Sequence, residues 1–208
     1  TYFLADTRCS VSSGIDFDNN GTSTLTELFG IVMFTKILEK LNRRCDLTAD
    51  EAAAVMALIM DGKATAAQLG GLLVGLAMKG ERPNEIVGLA RTLRAHTVKL
   101  QETYTGSFDT CGTGGDRSNT FNISTTSGFV AAGAGIKIAK HGNRAMSGSC
   151  GSADVLEELG VRIALPPEGV EQCIKEGGIG FMFAQAFHPS MRHAGPVRRE
   201  IGIRTVFN

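Results

Sequence analysis

After Gly106 the chain repeats one texture, in which a short apolar or β-prone run meets a glycine-rich turn and then a helix-like stretch. Phe108 to Cys111 leads into G-T-G-G at Gly112 to Gly115, and Thr126 to Gly135 reads as a small-residue helix. Ile136 to Ala139 is a second strand, Ser152 to Leu159 a helix, Val161 to Ala164 a short strand, Glu168 to Glu176 a helix and Ile179 to Ala184 a buried strand. Strands that alternate with helices form a mainly parallel sheet covered by helices on its faces. Such a sheet takes its ligands beyond the carboxyl ends of its strands. The expected sheet has about four strands, and the closing R-T-V-F-N is apolar and strand-like. An edge left open there would lack its neighbour, so the chain reads as truncated at its C-terminus.

The preceding third has a different period. From Met33, Ile37, Leu38 and Leu41 recur at helical spacing, and T-A-D-E at Thr48 to Glu51 is a capping box that opens an alanine-rich helix through Met60. Two more helices are expected over Ala66 to Met78 and Pro83 to Val98, with Pro83 suited to a first turn. The expected organisation is therefore an extension over 1–32, a small helical domain over 33–100 and a larger α/β domain over 101–208, with a return toward the helical domain near 190–208. Within the extension, Asp16 to Glu27 fits the calcium-loop expression. Ser23 stands where an apolar residue is usual, the segment before it makes a poor helix and no second loop follows, so the reading there goes against calcium.

With 43% hydrophobic residues the 208-residue chain can bury a real core, and its 21 basic residues balance 21 acidic ones. No net field draws it to nucleic acid or to an anionic membrane, so an anion site must be local. Five scattered cysteines without a C-x-x-C pair fit reduced thiols better than zinc. Neither an apolar run of membrane-spanning length nor a secretory leader is visible, which points to a cytoplasmic protein with no membrane or nucleic-acid partner.

Three turns carry phosphate-compatible chemistry. Gly112, Gly114 and Gly115 can aim backbone N–H groups at phosphate oxygens, and the spacing fits neither a dinucleotide fingerprint, which needs glycine at Arg117, nor a Walker loop. A bare chain reversal would use the same glycines. Asn122, Ser124 and Thr125 stand where the next helix begins, so they could cap it, bind an anion or do both. Asp116 hints at a divalent cation between itself and a phosphate. K-H-G-N-R at Lys140 to Arg144 is expected to follow a strand, and G-S-C-G-S-A-D at Gly148 to Asp154 adds two hydroxyls. Arg198 in V-R-R-E could be a surface charge or a clamp for a carboxylate.

D-T-C-G-T-G-G-D, N-I-S-T, K-H-G-N-R-A-M-S-G, G-S-A-D-V-L-E-E-L-G, F-H-P-S-M-R-H and V-R-R-E-I-G-I-R-T-V-F-N stand together in one order. In that order and spacing, residues 33–208 resemble the anthranilate phosphoribosyltransferase family of tryptophan biosynthesis. The resemblance implies a small helical domain beside a larger α/β domain, a homodimer formed through the helical domain, Mg2+ as cofactor, and transfer of a phosphoribosyl group from phosphoribosyl pyrophosphate to the amine of anthranilate. It gives to phosphoribosyl pyrophosphate Gly112, Gly115, Asp116, Thr120, Asn122, Ser124, Thr125, Lys140, His141, Gly142, Asn143, Arg144, Ala145, Met146, Ser147, Gly148 and Ser152. Anthranilate receives Gly112, Asn143, His188 and Arg198, magnesium receives Ser124, and Lys140 and His141 are the residues closest to a catalytic role. The family's acidic magnesium-holding pair would lie beyond Asn208, and residues 1–32 have no family counterpart. The competing readings are a pyrimidine nucleoside phosphorylase and a noncatalytic nucleic-acid-binding relative of the same fold; V-R-R-E and the K-H-G-N-R block favour the transferase.

Overall fold

The computed structural model describes residues 22–112, 120–145 and 150–207, with side chains from Gly30 onward. In chain order the elements are α1 (Thr22–Asn42), α2 (Ala49–Met60), α3 (Ala66–Lys79), α4 (Pro83–Ala95), α5 (Ile123–Gly133), β1 (Ile138–Gly142), α6 (Ser152–Glu158), α7 (Pro167–Gly177), β2 (Ile179–Phe183), α8 (Ala184–Phe187), a 3₁₀ turn (Pro189–Arg192) and α9 (Gly195–Ile201). They fall into two compact units. One takes the chain up to His96 together with Ser190–Phe207, and the other takes Thr97–Pro189.

In the helical unit, Phe34, Ile37 and Leu41 of α1 meet Val55 and Ile59 of α2, Leu69, Leu72 and Leu76 of α3 and Leu89 of α4 in one core, which Ala194 of the returning segment joins. Each such side chain contributes about 1.5–3 kcal/mol through apolar burial. The helices start where their caps say. Thr48 Oγ1 accepts from Glu51 N at 3.1 Å while Thr48 N donates to Glu51 Oε2 at 2.8 Å, and Thr65 and Gln68 repeat the arrangement at α3. Glu85, fully buried at the start of α4, accepts from Leu47 N, Arg82 N and Lys79 Nζ at 2.8, 2.8 and 3.0 Å. One carboxylate thereby ties α4 to the connection before α2 and to the end of α3.

The α/β unit is built on two parallel strands, with Ile138 opposite Ile179, Lys140 opposite Phe181 and Gly142 opposite Phe183. Side chains alternate across β2, as pleating requires. Phe181 and Phe183 pack with Ala153 and Leu156 of α6, whereas Met182 packs with Val170 and Ile174 of α7. Gly178, at φ 75°, closes α7 in the left-handed conformation that glycine adopts without strain and turns the chain directly into β2.

Several expectations need correction. Among the described residues the sheet has two strands, not about four, and Phe108 adds only a single parallel bridge to Ile138. Val161–Ala164 is irregular, because Val161 N is used to close α6 on Leu156 O at 2.8 Å; Ile163 is nevertheless buried. Residues 203–207 form no strand, a strand needing a hydrogen-bonded neighbour to exist as one. The second strand begins two residues later than expected and runs through Lys140, His141 and Gly142, so these sit on the strand and not in a loop after it. Helix α1 reaches back to Thr22, into the presumed extension. Of the calcium-loop string, Asp16–Gly21 lies outside the described residues and the remainder is helical. Among the described residues Cys111, Cys150 and Cys173 are free thiols, as expected. No helix among the described residues is long and apolar enough to cross a membrane.

Candidate active site

Four chain segments of the α/β unit converge at the carboxyl end of β1. Asp109 Oδ1 accepts from Cys111 N at 2.8 Å and from His141 N at 3.1 Å, which binds the start of the glycine turn to the strand. Thr110 Oγ1 donates to Ser124 O at 2.8 Å, Asn122 Nδ2 to Cys150 O at 3.3 Å, and Thr125 Oγ1 to Ser152 Oγ at 3.0 Å. Asn122 occupies the N-cap of α5 but makes no side-chain cap bond. Its amide reaches across to another turn instead.

Lys140 lies at the centre of this set. Period-two alternation places it on the buried face between Ile138 and Gly142, and only 1% of its surface is exposed. Its Nζ donates to Ser124 Oγ at 3.3 Å, and no carboxylate among the described residues lies within ion-pair distance. Burial therefore pulls the ammonium below the ordinary lysine range, while Cys111 and Asp109 act in the opposite direction. Among the described residues this buried cation has one hydroxyl partner and no anion, a setting suited to receiving an anionic group.

His141, next along, has Nδ1 3.8 Å from Cys111 Sγ, and its ring meets His188 edge-on at 5.3 Å between centroids. Its Nε2 is buried without a hydrogen-bond partner among the described residues. Burial, helped by Lys140 and opposed by Asp109, lowers its basicity, and His188 is lowered by burial and by His141. Both rings are thus held toward the neutral form. His188 Nδ1 shares a 3.1 Å hydrogen bond with Thr97 Oγ1. Burial and Asp109 push the Cys111 thiol up, with Lys140 acting in the opposite direction.

The structure thus brings together Gly112, Asn122, Ser124, Thr125, Lys140, His141, Gly142, Asn143, Ser152 and His188 within one unit. Among the described residues a Cβ at Gly112 would meet nothing within 4 Å. Thr120 is exposed. Gly114, Gly115, Asp116, Met146, Ser147 and Gly148 lie outside the described residues. Arg198 belongs to the helical unit, on α9, where its guanidinium donates to Phe207 O at 3.0 Å. Asp109, Thr110 and Asp154 stand within the quoted motifs, but the sequence alone assigns them no place in the site. An Asp two residues before a glycine turn is an Asx-turn former, and that signal was available for Asp109.

Mg2+ fits the described residues only as an ion carried by a phosphate. No group of three or more His, Cys, Asp or Glu that could hold a metal is found among them, and Ser124 Oγ offers one hard oxygen that already accepts from Lys140. Magnesium commonly takes one or two protein ligands and completes its shell with water and substrate phosphates.

Comparison with known proteins agrees with this architecture. The glycosyl transferase family α/β domain matches residues 105–208, and the helical bundle domain of the same family matches residues 35–97. The chain belongs to this glycosyl transferase family. Within it, the chain is 62% identical over 168 residues to the anthranilate phosphoribosyltransferase of Herpetosiphon aurantiacus and 63% identical over 166 residues to that of Chloroflexus aurantiacus, covering 81% and 79% of this chain and 49% and 48% of theirs. The crystal structure of anthranilate phosphoribosyltransferase from Thermus thermophilus superposes with a TM-score of 0.76 at 46% identity, over 82% of this chain and 52% of that one. The Saccharomyces cerevisiae enzyme in complex with PRPP and Mg gives 0.77 at 25% identity, over 85% and 53%. The chain spans about half the length of the relatives it matches.

Proposed function

We propose that the protein transfers the phosphoribosyl group of phosphoribosyl pyrophosphate to the amine of anthranilate and releases pyrophosphate, the second step from chorismate toward tryptophan. The observation that carries this reading is the buried Lys140 ammonium, which among the described residues has a single hydroxyl partner where four segments meet. Similarity to relatives of that activity supports it.

The amine lone pair attacks the anomeric carbon while the bond from that carbon to the pyrophosphate oxygen breaks, the electron pair leaving with the pyrophosphate. An aromatic amine needs little activation, so the barrier falls mainly through orienting two substrates and stabilising the leaving group. Lys140 supplies a fixed positive charge to the diphosphate, while the backbone of the glycine turn, with Asn122, Thr125 and Ser152, shapes its seat. Bound Mg2+ would neutralise part of the diphosphate charge, with Ser124 as one hydroxyl ligand. No strong base is demanded, and His141, kept neutral by burial, is no more than an auxiliary acceptor for the proton that the amine sheds. The resemblance gives the anthranilate carboxylate to Arg198 and the ring to Gly112, Asn143 and His188. We further propose a cytoplasmic homodimer formed through the helical unit.

The test is the decay of anthranilate fluorescence in the protein carried to the full length of its relatives, with phosphoribosyl pyrophosphate and Mg2+ present. Unchanged fluorescence would sink the proposal. In the same assay Arg198→Ala should cost about 2–4 kcal/mol in anthranilate recognition, the range for losing a paired carboxylate contact, and leave affinity for the other substrate nearly intact. An unaltered Michaelis constant for anthranilate would remove Arg198 from the site.

A further inference from the structure

The resemblance gives phosphoribosyl pyrophosphate an unbroken run from Lys140 to Gly148, Arg144 included, yet the Arg144 guanidinium is already engaged. Its two terminal nitrogens face both oxygens of the Glu157 carboxylate, Nη2 donating to Oε1 at 2.8 Å and Nη1 to Oε2. Nη1 is also 3.6 Å from Asp154 Oδ1, and Cζ stands 5.7 Å from the centre of the Phe183 ring. A planar fork on a carboxylate that also stacks on an aromatic face is held in orientation as well as in position.

The backbone beside it is fastened to the same helix. Asp154 Oδ2 accepts from Ala145 N at 2.9 Å and from Gly151 N at 2.7 Å, which holds the Asp154 carboxyl below the usual range, and Ala153 N donates to Asn143 O at 3.1 Å. A Cβ on Gly151 would stand 2.4 Å from Ala145 N, so the two backbones are in direct contact and only glycine fits. Asn143–Ala145 is therefore fixed to α6 through Asp154, Ala153, Gly151 and the Arg144–Glu157 pair. For Arg144 to grip a phosphate it would have to leave both Glu157 and Phe183.

Resting on the phosphoribosyl pyrophosphate reading, we infer that Arg144 is a positioning residue and not a phosphate ligand: with Glu157 and Asp154 it holds Asn143–Ala145 against α6, so that the residues before it keep their places at the site.

The two roles give opposite signs for one variant. If Arg144 bound phosphate, Glu157→Gln would free the guanidinium and tighten binding; as a positioning pair, Glu157→Gln and Arg144→Ala both weaken it. Calorimetry with phosphoribosyl pyrophosphate and Mg2+ at about 0.3 M salt, where the loss of one exposed charge is screened, should show each variant about three- to tenfold weaker and the double variant no worse than the weaker single, as for two residues of one interaction. Affinity unchanged in both, or unchanged or tighter for Glu157→Gln alone, overturns the inference. A second arm needs no ligand. Amide exchange at Ala145 and Gly151, followed by NMR, should speed up in both variants, and Arg144→Lys, which keeps the charge but loses the fork, should fall between; unaltered exchange also overturns the inference. If the parent protein binds no phosphoribosyl pyrophosphate, the proposed function fails, and the exchange arm still decides what Arg144 does.

Discussion

Glu85 in the helical unit and Lys140 in the α/β unit are both almost wholly removed from water, at 0% and 1% exposure, but their surroundings differ in kind. Glu85 accepts from two backbone amides and from Lys79, so its charge is met inside the chain. Among the described residues Lys140 has one hydroxyl at 3.3 Å. A buried charge stabilises a fold only when its partners repay its desolvation. By that measure Glu85 is part of what holds the helical unit together, whereas Lys140 is carried at a cost that a ligand would offset.

The largest effect should come from breaking the satisfied member. Glu85→Ala leaves two backbone N–H groups unpaired and removes the buried partner of Lys79, so chemical denaturation should show a loss of about 3–5 kcal/mol. A loss below about 1 kcal/mol would mean that Asp46, which also reaches Lys79 at 2.9 Å, substitutes for it, and the contrast with Lys140 would weaken. Lys140→Met should do the reverse. Stability should hold or rise, since a desolvated ammonium is removed, while affinity for phosphoribosyl pyrophosphate should fall by about 2–3 kcal/mol, the worth of a charge-assisted contact. The sign with pH follows from the lowered lysine basicity. Between the depressed folded value and the ordinary one the unfolded chain binds a proton that the folded chain does not, so the parent's stability climbs as pH rises through that window. Lys140→Met should lack that climb. A parent and a variant with parallel stability profiles would place the ammonium in water.

The same contrast explains what could be read in advance. Helix starts in the first third are local: Thr48 and Glu51 are three residues apart, and their capping box fixes α2 before any tertiary contact forms. The strand carrying Lys140 is hard to place from sequence because Lys and His argue against a buried strand, although Ile138, Lys140 and Gly142 recur with the period of one sheet face. The approach of Asp109 and Thr110, just before the glycine turn, to Ser124 and the strand of Lys140 is legible from motif order and the rule for parallel sheets. The engagement of Arg144 is not. Its partner Glu157 stands thirteen residues along on another element, and nothing in K-H-G-N-R distinguishes a guanidinium bound to a helix from one open to phosphate.

The smallest expected effect refines the comparison at helix starts. Thr48 and Asn122 both occupy N-cap positions, but Thr48 makes its cap bond and Asn122 sends its amide to Cys150 O. Thr48→Ala should therefore cost about 1 kcal/mol of stability, the usual worth of a made cap. Asn122→Ala should cost clearly less, because no cap is lost at α5, and should register instead as weaker binding of phosphoribosyl pyrophosphate. Thermal unfolding of the two variants side by side decides it. Equal losses would show that Asn122 serves its helix after all, and the turn at Cys150 would then owe its place to Thr125, Ser152 and Asp154 alone.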